Sequence, residues 1–254
     1  MLVDTHAHLQ WTSFDKDREK VLIRAREAQV DCIVNVGFDI EGSIKGVKLA
    51  EQHKGLYAAV GIHPHNAVEL DQNVLNKLRE LSKNPKVVAI GEIGLDYYRD
   101  LSPREAQKKA FEAQLFLAKE LELPVLIHDR EADRDVLEII SRFKGKIKGI
   151  MHCFSGSKDM AEQCIKLGFL VSFAGNVTYP NAHNLHQIAE WIDLRKALLE
   201  TDSPWLPPQE MRGKRNEPSF LPLTAKKIAN LKGICLDELA ETTTKNAEAI
   251  FKLK

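Results

Sequence analysis

The chain has 254 residues, 44% of them hydrophobic and 28% charged, and its 36 basic and 36 acidic side chains cancel. That length can bury one substantial core, it is a common size for α/β barrels, and the composition is that of a globular chain. The zero net charge excludes a globally basic footprint for nucleic acid, so any grip on a polyanion must come from a local patch.

The first element in chain order is "MLVDTHAHL", an apolar, strand-like run that carries two histidines separated by one alanine. Side chains at i and i+2 of a strand share a face, so His6 and His8 can aim at one ion. A helix is expected over 15–29. The strand candidates "DCIVNVG", "LYAAVGIH", "VVAIGEIG", "PVLIHD", "KGIMHCF", "GFLVSFAG" and "KALLETD" follow, at the roughly thirty-residue spacing of βαβ units. Between them, helical periodicity is expected over 42–53, 71–83, 103–122 and 131–143; in the third, Pro103 after Ser102 marks a start. The stretch "SPWLPPQEMRGKRNEPSFLP" reads as a long functional loop, and helices over 221–231 and 236–252 close the chain. No linker or composition shift divides residues 1–254. The alternation predicts a parallel sheet and a single-domain TIM (β/α)8 barrel, with a doubly wound open sheet as the alternative.

In such barrels the chemistry gathers at the C-terminal ends of the strands. Reading each candidate strand to its end finds His6 and His8, then His63, Glu92, His128, His152 and Asp202. A parallel arrangement brings these groups to one rim although they span nearly the whole sequence. Histidines and carboxylates from several strands make a plausible dinuclear pocket, and a mixed donor set of this kind suits Zn²⁺, Mn²⁺, Co²⁺ or Mg²⁺.

The ordered blocks "DTHAHL", "VGIHPH", "GEIGLDYY", "HCFSG", "TDSPWL" and "RGKRNEP" closely resemble the TatD family of metal-dependent deoxyribonucleases, within the amidohydrolase superfamily. The likeness runs from residue 2 to the final helix. It implies a TIM barrel with two divalent cations, one on His6, His8, Glu92 and Asp202 and the other on Glu92, His128 and His152. Glu92 would then bridge them in the position that a carbamylated lysine takes in many superfamily relatives, and "VVAIGEIGLD" contains no lysine to serve instead. One departure is Asp129 in "HDREA", where the family pattern suggests serine or cysteine; it touches no expected ligand.

Divalent ions lower the pKa of bound water, and a pair roughly 3.5–4 Å apart can clamp the attacking and leaving oxygens of a phosphodiester. Asp202 is the candidate proton acceptor, with a purely structural ligand or a helix cap as the plainer alternatives. His63 is placed as a phosphate contact or a support behind the ligands rather than as a ligand itself, and His65 as either a turn or a site residue. Lys214 and Arg215 supply cations that could grip phosphate, arginine through its planar fork. Tyr98, with Tyr97, could stack on a base, or both could pack on neighbouring loops, and Ser155 could donate to phosphate. His183 and His186 are expected on a helix face outside the rim, His53 exposed, and Cys153 turned away from the pocket.

The expected activity is hydrolysis of DNA, by trimming of single strands or 3′ ends. The alternatives are a small-molecule amidohydrolase using the same ions, and an inactive barrel that only binds. Four scattered cysteines without a CxxC pair, and an N-terminus without an apolar leader, suggest the cytoplasm. No apolar run approaches the ~20 residues of a membrane span. A monomer is the default for a self-contained barrel.

Overall fold

The computed structural model describes residues 1–253. Eight strands, β1 (Leu2–Ala7), β2 (Val30–Val36), β3 (Leu56–Val60), β4 (Val87–Asp96), β5 (Val125–Arg130), β6 (Gly149–Met151), β7 (Phe169–Phe173) and β8 (Ala197–Leu199), pair in sequence order. Every pairing is parallel. The helices are α1 (Arg18–Glu27), α2 (Ile40–Gln52), α3 (Gln72–Leu81), α4 (Arg104–Leu121), α5 (Asp133–Ser141), α6 (Lys158–Lys166), α7 (His183–Trp191), α8 (Leu221–Lys232) and α9 (Leu236–Phe251). The arrangement is the TIM barrel that the alternation predicts, and it sets aside the open-sheet alternative.

The sheet closes through a short seam between β8 and β1. Its links are a parallel bridge between Ala7 and Ser203, the His8 amide donating to the Ser203 carbonyl at 2.8 Å, and the Asp202 amide donating to the His6 carbonyl at 2.9 Å. The buried Asp4 carboxylate reinforces it by accepting from the Thr201 amide at 2.9 Å and the Thr201 hydroxyl at 2.6 Å. The same backbone that closes the barrel therefore fixes His6, His8 and Asp202 relative to one another.

Two apolar layers hold this frame. Val3, Val34, Ala59, Leu126, Ile150 and Leu198, one from each of six strands, form a buried cluster with Ala247 and Phe251 of α9. The Thr244 hydroxyl donates to the Met1 carbonyl, which puts α9 at the start of β1, the end of the barrel opposite the strand tips. The larger cluster, with Ile33, Val125 and Phe169 from the strands and Leu22, Phe111 and Ile228 from the helices, is the layer between sheet and helices. Burial of this kind stabilises by about 25 cal/mol per Å² of apolar surface.

Several boundaries differ from expectation for local reasons. Helix α1 starts at Arg18 rather than at residue 15, because Thr12–Phe14 form a 3₁₀ turn. The Asp17 carboxylate makes no cap there; it pairs with Arg215 and Arg24. Helix α2 starts two residues early because Asp39 caps it, accepting from the Gly42 amide. Strands β3, β6 and β8 stop before His63, His152 and Asp202. Asp202 leaves the ladder with φ +55°, so the turn rather than the pleat aims its carboxylate.

Candidate metal centre

His6 and His8 leave β1 side by side, with their Nε2 atoms 3.0 Å apart. Glu92 Oε2, reaching in from β4, lies 3.6 Å from His6 Nε2 and 3.7 Å from His8 Nε2. Asp202 Oδ1 lies 4.0 Å and 3.5 Å from the same two nitrogens. A tetrahedral ion with ligands at about 2.0–2.2 Å has ligand–ligand edges of about 3.3–3.6 Å, so these four atoms stand at the right scale for one cation.

The other Glu92 oxygen faces a second group. Oε1 is 2.8 Å from His128 Nδ1, 3.0 Å from His152 Nε2 and 3.5 Å from His63 Nε2. Clusters able to hold a metal are found at His6–His8–Glu92, His6–His152–Asp202 and His63–Glu92–His128. One buried carboxylate thus points each oxygen at a different set of imidazoles.

The far side of each ring decides whether those imidazoles are ligands or donors. His8 Nδ1 is 2.8 Å from the Val36 carbonyl, His152 Nδ1 is 3.0 Å from Glu200 Oε1, and His128 Nε2 is 3.1 Å from Asp96 Oδ2. His128 and His152 face a carboxylate on both sides, so a neutral ring that keeps its hydrogen on the outer nitrogen turns a lone pair toward Glu92, as metal-binding histidines do. Inward lone pairs and the Glu92 carboxylate are all acceptors, and in a buried site such a group needs cations between its members. His63 is the exception. Its Nδ1 accepts the His65 amide at 3.1 Å, so the neutral ring carries its hydrogen on Nε2 and is a donor toward the centre. His6 Nδ1 is buried and has no hydrogen-bond partner among the described residues.

The electrostatics agree with a cation-binding set. Burial alone would raise the Glu92 pKa, but the surrounding imidazoles, His63 and His152 foremost, hold it well below the usual carboxylate range. Burial pushes His6 down to about 3 and His63 down to about 4, so both are neutral near pH 7. His152 is held well above its ordinary value against the effect of burial by Glu200 and Glu92, so without a metal it takes up a proton. A bound ion replaces such a proton, which makes ion affinity rise with pH.

Asp96 and Glu200, which sequence reasoning missed, orient this set. Asp96 ends β4, takes His128 and His65 on Oδ2 at 3.1 and 2.9 Å, and accepts the Tyr98 and Arg99 amides on Oδ1. Glu200, fully buried, takes His152 Nδ1 and the Cys153 amide on one oxygen. A signal was present: both carboxylates stand at strand ends, in "GEIGLD" and "LLETD". His65 belongs to this network and is more than a turn residue.

The remaining expected residues lie further out. Tyr98 is 58% exposed with the Arg130 guanidinium 4.0 Å from its ring centre, and the Tyr97 hydroxyl donates to Asp135 at 2.6 Å. Ser155 is exposed on the turn after β6. Lys214 is exposed, its Nζ 3.9 Å from Met211 Sδ. Arg215, expected to grip phosphate, is engaged within the fold: its guanidinium is paired with both Asp17 oxygens at 2.9 and 2.8 Å, donates to the Ser13 carbonyl and lies over the Phe14 ring. Its planar fork is used to pin the loop to the start of α1. Asp202 precedes no helix, which removes the helix-cap alternative. His53 is not exposed as expected; its side chain is 14% accessible and faces Glu19. His186 is 2.9 Å from the Val177 carbonyl and His183 starts α7, neither belonging to a metal-competent cluster.

Comparison with known proteins bears on the same centre. Residues 3–252 match the model of the family described as TatD related DNase. The chain is 44% identical over 254 residues to an uncharacterized metal-dependent hydrolase of Bacillus subtilis, YabD, covering all of both chains. It is 39% identical over 259 residues to a protein of Erwinia amylovora named 3′-5′ ssDNA/RNA exonuclease TatD, covering 99% of this chain and 100% of that one. Among solved structures, a TatD homolog of Escherichia coli, YJJV, superposes with a TM-score of 0.94 at 32% identity, covering 100% of this chain and 98% of that one.

Proposed function

The chain belongs to the TatD related DNase family and is a metal-dependent hydrolase, and from that premise we propose that it hydrolyses phosphodiester bonds of single-stranded DNA, trimming from 3′ ends. The observation that carries the reading is the division of Glu92, with Oε2 against His6 and His8 and Oε1 against His128 and His152. In this reading His6, His8, Glu92 and Asp202 hold one divalent cation and Glu92, His128 and His152 a second; Mg²⁺, Mn²⁺ and Zn²⁺ all suit the donors. When bound, such ions polarise a phosphoryl oxygen and make water acidic enough to attack near neutral pH.

The chain's own groups do the rest. Asp202, whose side chain is 14% exposed where His6 is sealed, is the carboxylate that incoming water can reach, and it accepts the proton. His63 offers Nε2–H to a phosphate oxygen, a role its bond to the His65 amide reserves for it. Asp96, Glu200 and the Val36 carbonyl hold three rings in place, so little reorganisation accompanies the reaction. Among the described residues no helix is long and apolar enough to cross a membrane. The four cysteines are free, in keeping with the reducing cytoplasm, and the protein acts there as a monomer.

The test is release of nucleotides from 3′-labelled single-stranded DNA in the presence of each ion. The expected result is turnover that EDTA abolishes and that Glu92→Ala lowers by about 10⁴-fold, several kcal/mol of transition-state stabilisation. Undiminished turnover by Glu92→Ala would remove the bridging role. Hydrolysis of cyclic amides or lactones, with none of DNA, would move the reading to a small-molecule amidohydrolase.

A further inference from the structure

Three aromatic side chains that the centre does not use stand together beside it. The Trp11 ring lies 5.0 Å from Phe38 and 5.3 Å from Trp205, tilted by 57° and 66°. The cluster abuts the metal-competent His8, whose ring is 5.0 Å from Trp205 and 6.0 Å from Phe38. A cluster of this kind is usually sealed in a core, yet Trp205 is 42% exposed and Trp11 and Phe38 are half-buried.

Each ring is mounted one backbone hydrogen bond from the centre. The Trp11 amide donates to the His8 carbonyl at 3.0 Å and the Trp205 amide to the Asp202 carbonyl at 3.0 Å, while the Phe38 carbonyl accepts from the His63 amide at 2.8 Å. Buried Asn216 pins the Trp205 turn further, donating to the Trp205 carbonyl at 2.6 Å and the Thr201 carbonyl at 2.8 Å. A cleft of about 140 Å³, lined by Gln10, Trp11, Thr12, Phe38 and Lys45 among others, adjoins the cluster.

We propose that Trp11, Phe38 and Trp205 form a platform that receives the unpaired nucleobase next to the scissile phosphodiester. The inference rests on the phosphodiesterase reading and adds which side chains receive the base. Trp205 packs at steep angles to Trp11 and His8 rather than stacking on either, and it keeps 42% of its surface exposed for contact with a flat π-surface. Inside a duplex both faces of a base are covered by its neighbours, and at its end the outer base is still held by its pairing partner, so an unpaired, unstacked base is the one free to lie there. Every base has a π-face, so the platform selects single-stranded ends while tolerating sequence. The enzyme therefore distinguishes strand state through stacking, which a chain of zero net charge can do without a basic groove.

The experiment compares a single-stranded oligothymidylate with the same strand ending in an abasic residue. Binding is followed in EDTA by anisotropy of a 5′ dye, and by quenching of indole fluorescence in a Trp191→Phe background that removes the exposed tryptophan of α7. The expected result is base-dependent quenching and about 10- to 100-fold tighter binding of the normal strand. Trp205→Ala should erase that preference and Trp205→Phe retain most of it. With ions restored, the preference should persist in KM with kcat within about 2-fold. Equal binding of the two strands by the parent protein would overturn the platform. So would a Trp205→Ala defect that weakens both strands alike, which is a structural effect. Base-dependent quenching without hydrolysis of DNA would retain the platform and sink the phosphodiesterase reading; hydrolysis with a base-independent KM would do the reverse.

Discussion

The two ends of the barrel are built from the same strands and filled with opposite chemistry. At the floor, Ala247 and Phe251 of α9 pack with Val3, Val34 and Leu198 in an apolar cluster. At the mouth, His6, His8, His63, Glu92, Asp96, His152 and Glu200 are buried like those apolar side chains, and every one is polar. Burying ionisable groups is costly unless each is paired, so the floor supplies stability and the mouth spends some of it on holding donors in fixed directions. The comparison teaches that burial at the two ends has different purposes, and substitutions should separate them.

The largest effect expected at the mouth is the loss of turnover in Glu92→Ala already described, and it should leave the floor intact. At saturating ion, about 100 times Kd, the parent protein should gain about 2.7 kcal/mol of stability for each occupied site over its EDTA-treated form. Urea unfolding should show that gain missing from Glu92→Ala. At the floor, Phe251→Ala should lower stability by about 3–5 kcal/mol, as large-to-small changes in cores do. Its kcat at a temperature where it remains folded should match the parent's. A Phe251→Ala protein of parental stability, or with impaired turnover when folded, would break the division between the two ends.

Smaller effects should sharpen it. Glu200→Gln and Asp96→Asn keep the shape of the carboxylates that orient His152 and His128 but remove their charge. Each should weaken ion affinity by about 10- to 100-fold, read by competition with a chelator. The smallest effect belongs to the ion pair that ties the loop after β8 to α1. Asp17 sits below its usual pKa, chiefly through its hydrogen bonds to Arg215. A carboxyl whose pKa is lower folded than unfolded stabilises the fold above its unfolded value, and that contribution disappears as pH falls through the folded value. Asp17→Asn should therefore cost under about 1 kcal/mol at pH 7, and in urea titrations the difference should shrink as pH falls below the ordinary carboxylate range.

Much of the frame was legible because its signals are local. The eight apolar runs are short and evenly spaced, and His6, His8, Glu92 and His128 stand where such runs end, so strand direction alone brings them to one rim. The parts that escaped depend on distant partners. Arg215 reads as a free cation in "RGKR", and only folding reveals its partner Asp17, 198 positions earlier. Glu200 reads as one more residue before a turn, and its role appears only when β6 carries His152 to it across 48 positions. The division of His63 from the other histidines is likewise set by which nitrogen the neighbouring backbone occupies.

The most direct test of the central claim, that one carboxylate joins two cation sites, is electron paramagnetic resonance of the protein reconstituted with Mn²⁺, with metal content measured on the same sample. The bridging account predicts two ions per chain and a spin-coupled signal that Glu92→Ala converts to that of isolated Mn²⁺. A single uncoupled ion supporting full turnover, or coupling that survives in Glu92→Ala, would contradict it.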